Sequence, residues 1–409
     1  MAELRQNTWS LNAWYDQDVA GDATYAAAGK LWAWGYNLYG ELGQNQSGPT
    51  ASYSSPIQIG SDTNWSKVAV LGDNNMFAMK QDGSLWAWGR NQGTVGGGSL
   101  GLNDAIDRSS PTQLPGTGWQ MTRDTFQSGY GATSAIKEDG SLWIWGSNEA
   151  AQLGLPRIAP YWYYLKEYSS PVQLPGSYSK TRYGSRLSTG GALSMWGDNT
   201  FGQCGANTSP ATPMGAYSSP VQIPGTWTDF QRTNDYSHQA SSGIKSDGTL
   251  WAWGYGGEGA LGLNDRSYRS SPTQVPGTWL RCASGTLGAQ IQQAWQKTDG
   301  SIWFAGGGTS PYNNYGFTKR SSPTQIPGTV IPSISHFVVG TQGIFLDVPN
   351  SKNYVSGPNG QGKQGNNTTS GGYEEPTYVP SVWDKFKDTG IGVDQIGTAG
   401  DSNYAIEQQ

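Results

Sequence analysis

The sequence predicts an all-β fold, a seven-bladed β-propeller closed by pairing of its N- and C-terminal strands. Three observations carry the prediction: a five-residue run recurs seven times, turn residues hold fixed places around each copy, and the two chain ends supply complementary parts of one unit. Composition agrees, because 59 Gly and 22 Pro punctuate 409 residues of which 13% are charged, with 19 Trp and 22 Tyr. An average soluble domain has about 25% charged residues, and chains that stay disordered lack such bulky packing groups. Short aromatic strands joined by many turns follow, and charge-coated helices do not.

The run reads Leu31-Trp32-Ala33-Trp34-Gly35, Leu85-Trp86-Ala87-Trp88-Gly89, Leu142-Trp143-Ile144-Trp145-Gly146, Leu193-Ser194-Met195-Trp196-Gly197, Leu250-Trp251-Ala252-Trp253-Gly254, Ile302-Trp303-Phe304-Ala305-Gly306 and Asn353-Tyr354-Val355-Ser356-Gly357. From Trp32 to Tyr354 the second residues are spaced by 54, 57, 51, 57, 52 and 51. A period near ~50 is that of propeller blades. Asp82-Gly83, Asp139-Gly140, Asp247-Gly248 and Asp299-Gly300 stand just before the run. Asp-Gly between extended segments predicts a type I′ hairpin, with the run as its second arm. Segments such as Lys67 to Val70 and Met76 to Met79 are short enough for buried strands. The i, i+2 spacing of Trp86 and Trp88 puts both rings on one face, where they can wedge against the next blade, each burial contributing about 3 kcal/mol.

After the run comes a glycine-punctuated turn, Asn37, Gly40 and Gly43 in the first unit, echoed by Asn199, Gly202 and Gly205, by Gly256, Gly259 and Gly262, and by Asn359, Gly362 and Gly365. Next comes Ser54-Ser55-Pro56, repeated in five further units down to Ser321-Ser322-Pro323 and replaced in the seventh by Glu374-Glu375-Pro376. Proline lacks an N–H, so this strand belongs at the outer edge of a blade. The tail from Ile396 to Gln409 resembles Val68 to Gln81, the part of a unit that precedes the Asp-Gly turn, whereas the first unit begins after that turn, at Gly29. The termini together complete one blade, which hides the edges of the ring. The division is an N-terminal arm over residues 1–23 and a propeller over 24–409.

The Asp-Gly, aromatic-x-Trp-Gly, Asn-x-x-Gly-x-Leu-Gly and proline pattern resembles the regulator-of-chromosome-condensation repeat over about residues 24 to 409. The resemblance implies a propeller whose relatives include an exchange factor for a small GTPase, an inhibitor of β-lactamases and virion proteins of tailed phages. The family's usual His before the second strand is replaced here by Asn75 and Ala132, His238 is out of register, and the sixth unit lacks the glycine turn. In its wording the sequence is most similar to virion structural proteins of tailed marine phages.

A net charge of -5 gives no basic stripe for phosphate contacts, so no nucleic-acid partner is expected. No apolar run approaches the ~20 residues of a membrane span, so no membrane insertion is expected. No hydrophobic stretch follows Met1-Ala2-Glu3-Leu4-Arg5, and synthesis in the host cytoplasm followed by a place in the virion is the expectation. Two His and two Cys provide no zinc spacing, so no metal and no cofactor are expected. Cys204 and Cys282 stand where sister repeats carry Leu or Val and read as core residues. The matches of Gly96, Gly98 and Gly101, and of Gly254, Gly256 and Gly259, to a phosphate-loop spacing precede no helix and read as turns. No base accompanies a nucleophile in any motif, and the chain is read as no enzyme.

What remains is surface. Tyr161, Trp162, Tyr163 and Tyr164 are four adjacent aromatics in a long connection and form the candidate partner-binding patch. Trp9, Trp14 and Tyr15 lie in the segment no repeat explains and form the candidate assembly arm. The leading expectation is a virion structural protein (head decoration, tail or adhesion component) whose partners are other virion proteins, or a host-surface protein or glycan. The alternative is a soluble protein-binding or inhibitor propeller.

Overall fold

The computed structural model describes residues 29–71, 74–92, 97–122, 124–129, 131–149, 151–155, 167–207, 215–232, 239–282, 291–307, 320–326, 336–340, 343–348, 352–358, 372–378 and 402–408. Among them every regular element is a β-strand except one 3₁₀ turn, Gly257–Gly259. Strands β1 (Gly29–Gly35) and β2 (Tyr53–Gln58) belong to unit 1. Unit 2 holds β3 (Trp65–Leu71), β4 (Asn75–Lys80), β5 (Leu85–Gly89) and β6 (Arg108–Gln113), and unit 3 holds β7 (Phe126–Gly129), β8 (Ala132–Ile136), β9 (Leu142–Ser147) and β10 (Glu167–Leu174). Unit 4 is β11 (Tyr178–Arg182), β12 (Ser185–Ser188), β13 (Leu193–Asp198) and β14 (Ala216–Ile223). Unit 5 is β15 (Trp227–Arg232), β16 (Ala240–Lys245), β17 (Leu250–Gly254) and β18 (Arg269–Val275). Unit 6 is β19 (Trp279–Cys282), β20 (Ile291–Lys297), β21 (Ile302–Gly307) and β22 (Arg320–Gln325). Unit 7 is β23 (His336–Gly340), β24 (Gly343–Val348), β25 (Lys352–Pro358) and β26 (Gly372–Tyr378), and the chain ends on β27 (Ser402–Gln408).

Units 2 to 7 are four-stranded antiparallel meanders, and a single pair, Gly29 with Trp65, joins unit 2 to unit 1. β27 lies antiparallel to β1, from Gly29 opposite Gln408 to Gly35 opposite Ser402. The core lies between neighbouring sheets. One cluster joins Phe77, Leu85 and Ala87 of unit 2 to Trp119, Phe126 and Trp145 of unit 3, and another joins Leu187 and Met195 of unit 4 to Trp227 and Trp253 of unit 5. Strands such as β4 and β16 are therefore buried on both faces, which is why their sequences do not alternate cleanly.

Each fourth strand lies at a sheet edge and is bulged at its Ser-Ser-Pro. Between the pairs Ala87 with Thr112 and Gly89 with Arg108, only Trp88 faces Ser109, Ser110 and Pro111. Such a bulge twists the edge and leaves proline's missing N–H without consequence for the ladder.

The Asp-Gly hairpins correct one expectation: they are not type I′. Gly83, Gly140, Gly248 and Gly300 have φ of 76, 80, 79 and 86°, but their aspartates are not among the residues with positive φ. The Gly83 N–H donates to the Lys80 carbonyl and the Lys80 N–H to the Ser84 carbonyl, both at 3.0 Å, a type I turn closed by a left-handed glycine. The cause is side-chain chemistry. Asp82 Oδ1 accepts the Ser84 N–H at 2.9 Å and the Ser84 hydroxyl at 2.6 Å, and Ser84 Oγ accepts the Trp86 indole N–H at 2.9 Å. The same relay runs through Asp139, Ser141 and Trp143, through Asp247, Thr249 and Trp251, and through Asp299, Ser301 and Trp303.

The paired tryptophans correct another. Trp86 and Trp88 do share a face, with ring centroids 5.9 and 6.4 Å from Trp65, but they do different jobs. Trp86 is half-buried within its own unit, with the Lys80 ammonium 4.0 Å above its ring. Trp88 is fully buried and donates its indole N–H to the Glu41 carbonyl of the preceding unit at 2.6 Å.

Candidate partner-binding rim

In a four-stranded meander the first-to-second and third-to-fourth connections share one end, and the second-to-third connections take the other. The latter are short throughout, over 81–84, 137–141, 189–192, 246–249 and 298–301. The third-to-fourth connections, over 36–52, 90–107, 148–166, 199–215 and 255–268, are long and differ from unit to unit. The longest connections thus fall on one rim, and long loops on a stiff frame are where proteins commonly carry binding residues.

That rim is built by a repeated lock. The buried Asn37 accepts the Leu42 N–H through Oδ1 at 2.9 Å, and Asn91, Asn148 and Asn199 do the same for Leu100, Leu153 and Cys204. The clamped turn then presses on the next unit's bulge. A Cβ at Gly40, Gly98, Gly202 or Gly259 would lie 2.5 to 2.7 Å from the Cα of Ser109, Ser169, Ser270 or Ser321, and all four glycines have φ between 81 and 88°. Two residues beyond the second turn glycine comes an asparagine in the left-handed region. The N–H groups of Asn45, Asn103, Asn207 and Asn264 donate to those same serine carbonyls at 2.7 to 2.8 Å. The hydroxyls of the following serines donate back: Ser170 to Asn103 at 2.8 Å, Ser271 to Asn207 at 2.8 Å and Ser322 to Asn264 at 2.9 Å.

On this frame the rim carries exposed apolar groups. Phe201, Tyr255 and Tyr268 meet across the junction of units 4 and 5 with centroids 4.9 to 5.4 Å apart, and Tyr268 is 53% exposed. Burial beside Tyr268 raises the Tyr255 phenol above its ordinary value. At the junction of units 1 and 2 the Arg90 guanidinium lies 4.8 Å over Tyr39, and Ile106 is 58% exposed. The sequence reading missed this cluster because its members are far apart in the chain. The available signal was positional: Tyr39 and Phe201 precede the first turn glycine, and Arg90 and Tyr255 follow the Trp-Gly.

The first strands of units 4 and 5 carry charge instead. Arg182 pairs with Asp124 at 2.6 Å, and Lys180 with Asp229 at 2.7 Å and Asp124 at 3.6 Å. Arg232 donates to the carbonyls of Gly184, Trp196 and Asp198 at 3.0, 2.6 and 2.8 Å. These ties run between units 3, 4 and 5. On the opposite rim, the serine or threonine hydrogen bonds hold Asp82, Asp139, Asp247 and Asp299 below the usual carboxylate range.

Tyr161, Trp162, Tyr163 and Tyr164 lie outside the described residues, between β9 and β10, and so do Trp9, Trp14 and Tyr15. Among the described residues no three His, Cys, Asp or Glu side chains gather as metal ligands. Cys204 and Cys282 are buried, and burial pushes the Cys204 thiol up to about 11 and raises that of Cys282 further from reactivity. Gly98, Gly101 and Gly259 have positive φ and serve turns, and Gly254, also at positive φ, ends β17.

The sequence pattern of the Regulator of chromosome condensation (RCC1) repeat matches residues 28–78 and 247–286. The chain has the fold of RCC1-type propellers: yeast RCC1 (Prp20), solved bound to Kap60, superposes with a TM-score of 0.64 at 15% identity, over 95% of this chain and 92% of that one. The Ultraviolet-B receptor UVR8 of Arabidopsis thaliana is 27% identical over 283 residues, 66% of this chain and 59% of the receptor. The E3 ubiquitin-protein ligase HERC2 of Homo sapiens is 22% identical over 393 residues, 93% of this chain and 8% of the ligase. The match thus spans about three fifths of the receptor and under a tenth of the ligase. None of the three is a virion protein, and the further step to phage particles draws no support from them.

Proposed function

We propose that this chain is a non-enzymatic, protein-binding propeller of seven blades, closed where β27 lies against β1, and that it grips its partner with the rim of long connections. One observation carries the reading: the longest connections and the exposed Tyr268 and Ile106 fall on the same rim, while the second-to-third connections on the other rim repeat one short hairpin. The similar yeast RCC1 was solved in complex with another protein, Kap60, which favours a protein partner here. Aromatic rings on a stiff frame give contact area with little loss of entropy. The test is quantitative capture by the tagged chain from a lysate of the cells that make it. Tyr268→Ala with Ile106→Ser is expected to lose the enriched partner, and Ser61→Arg on the other rim is expected to keep it; equal capture by both removes the rim from consideration. Trp162→Ala with Tyr163→Ala extends the test to the aromatic tetrad.

The wording of the repeats favours a second reading, a virion component made in the host cytoplasm. Mass spectrometry of purified particles tests it: a stoichiometric band supports the virion, and a free monomer in the lysate refutes it.

A further inference from the structure

The junctions between units are not alike. The four described asparagine locks join units 1 to 2, 2 to 3, 4 to 5 and 5 to 6. An indole N–H reaches back across junctions as well: Trp88, Trp145, Trp196 and Trp253 donate to the preceding turn at 2.6 to 2.9 Å. In unit 6 Ala305 takes that tryptophan's place, and Trp295 on β20 substitutes, donating to Ser242 Oγ of unit 5 at 2.9 Å. The junction of units 3 and 4 has Pro156 where the lock asparagine would stand, yet it keeps Trp196 on Gln152 and adds the Arg182 and Asp124 pair.

Unit 7 differs at every one of these places. Ser356 holds the run's second tryptophan position, and Leu346, opposite Tyr354, holds the place of Trp295, opposite Trp303. Neither carries a side-chain N–H, and a serine side chain is far shorter than an indole. The bulge of β26, between the pairs Val355 with Thr377 and Gly357 with Tyr373, contains Glu374, Glu375 and Pro376 instead of Ser-Ser-Pro. Carboxylates there have no hydroxyl to donate to an asparagine. The chain between Gly307 and Arg320 also has no Gly-x-Leu-Gly wording to press on that bulge, whereas the seventh unit's own Asn359, Gly362 and Gly365 and the first unit's Ser54 and Ser55 are all retained.

We propose that the junction of units 6 and 7 is the seam of the ring, the place where it parts first when the molecule loosens. The proposal rests on the closed seven-bladed reading. Native-state hydrogen exchange of the full chain tests it. Amides of β23 to β26 are expected to exchange at least tenfold faster than those of β15 to β18, with β1 and β27 staying protected. Equal protection of β23 to β26 and β15 to β18 overturns the seam. Exchange of β1 and β27 as fast as that of β23 to β26 overturns the closed ring, and the seam with it. A second variant checks the cause. Asn264→Gly with Ser322→Ala removes the side-chain half of the lock between units 5 and 6 and keeps the left-handed backbone with its bond to Ser321, and Trp295→Phe removes the indole bond to Ser242; the triple variant should move β19 to β22 toward the fast group, and unchanged protection there shows that these ties do not set junction strength and sinks the proposal.

Discussion

Glu41 shows how one position in the repeat sets a local cost. Burial raises its pKa above the usual carboxylate range, against the pull of backbone N–H groups around it. Its Oε2 accepts the Tyr39 N–H at 2.6 Å, and in unit 4 the neutral Gln203 does the same for Phe201 at 2.8 Å. A carboxyl with a raised folded pKa binds its proton more tightly in the folded chain, so stability falls as pH rises from the unfolded value through the folded one. Glu41→Gln is expected to remove that slope, matching or exceeding wild-type stability at pH 7 and losing the difference below about pH 4, as read from denaturation midpoints across pH. The turn glycines make a second comparison. Gly202 has φ 81° and its Cβ would meet Ser270 Cα at 2.6 Å; Gly60 has φ 61° and open space around it. Gly60→Ala should cost about 1 to 2 kcal/mol for the left-handed backbone alone. Gly202→Ala should add about 1 to 3 kcal/mol of overpacking. Equal midpoint shifts in urea would mean that the junction yields at no cost.

At the scale of the element, the strand order and the edge position of Ser-Ser-Pro were legible, because turn residues and proline act through the local backbone. The hairpin type was not, since Asp82 is held by Ser84 and not by its own dihedral preference. The locks were also hidden: Asn103 and Ser170 are 67 residues apart, and no local pattern pairs them. Unit 4 shows what replaces lost aromatic contacts. It has Tyr178 and Ser194 where other units have tryptophans and Ser188 where they have the lysine, and Arg186, two residues earlier on β12, lies 4.7 Å over the Tyr178 ring; the ion pairs of Lys180 and Arg182 tie it to its neighbours instead. The contribution of a lock should be small and specific. Ser271→Ala, which removes a 2.8 Å bond to Asn207, is expected to cost about 0.5 to 1.5 kcal/mol. Ser219→Ala is the control. Ser219 is exposed and Pro156 holds the asparagine place of its junction, so a change within about 0.5 kcal/mol is expected by the same urea titration.

For the whole molecule, the question is how a chain of weakly charged, edge-bearing sheets stays a single body. Each sheet ends in a bulged fourth strand that resists pairing with other chains, and the first strands are tied across units by charge or packing. The liability is β1, whose edge away from β2 is covered, among the described residues, by the pairs from Gly29 with Gln408 to Gly35 with Ser402 and by the single pair of Gly29 with Trp65. Removing residues 402–409 would leave β1 held by β2 on one side, with Leu31 and Ala33 at an unpaired edge, and an uncovered apolar edge invites strand addition. The truncated chain is expected to melt earlier and to self-associate in light scattering. A peptide of the sequence Ser402 to Gln408 supplied in trans should then bind by strand addition, raise the melting temperature in proportion to its concentration and suppress association. A peptide of the same composition in scrambled order should not rescue, because the register from Gly29 opposite Gln408 to Gly35 opposite Ser402 depends on the order of residues along the strand. Rescue by both peptides alike would point to nonspecific edge coverage, and a truncated chain as stable and monomeric as the full one would show that β27 is not what keeps the first unit in place.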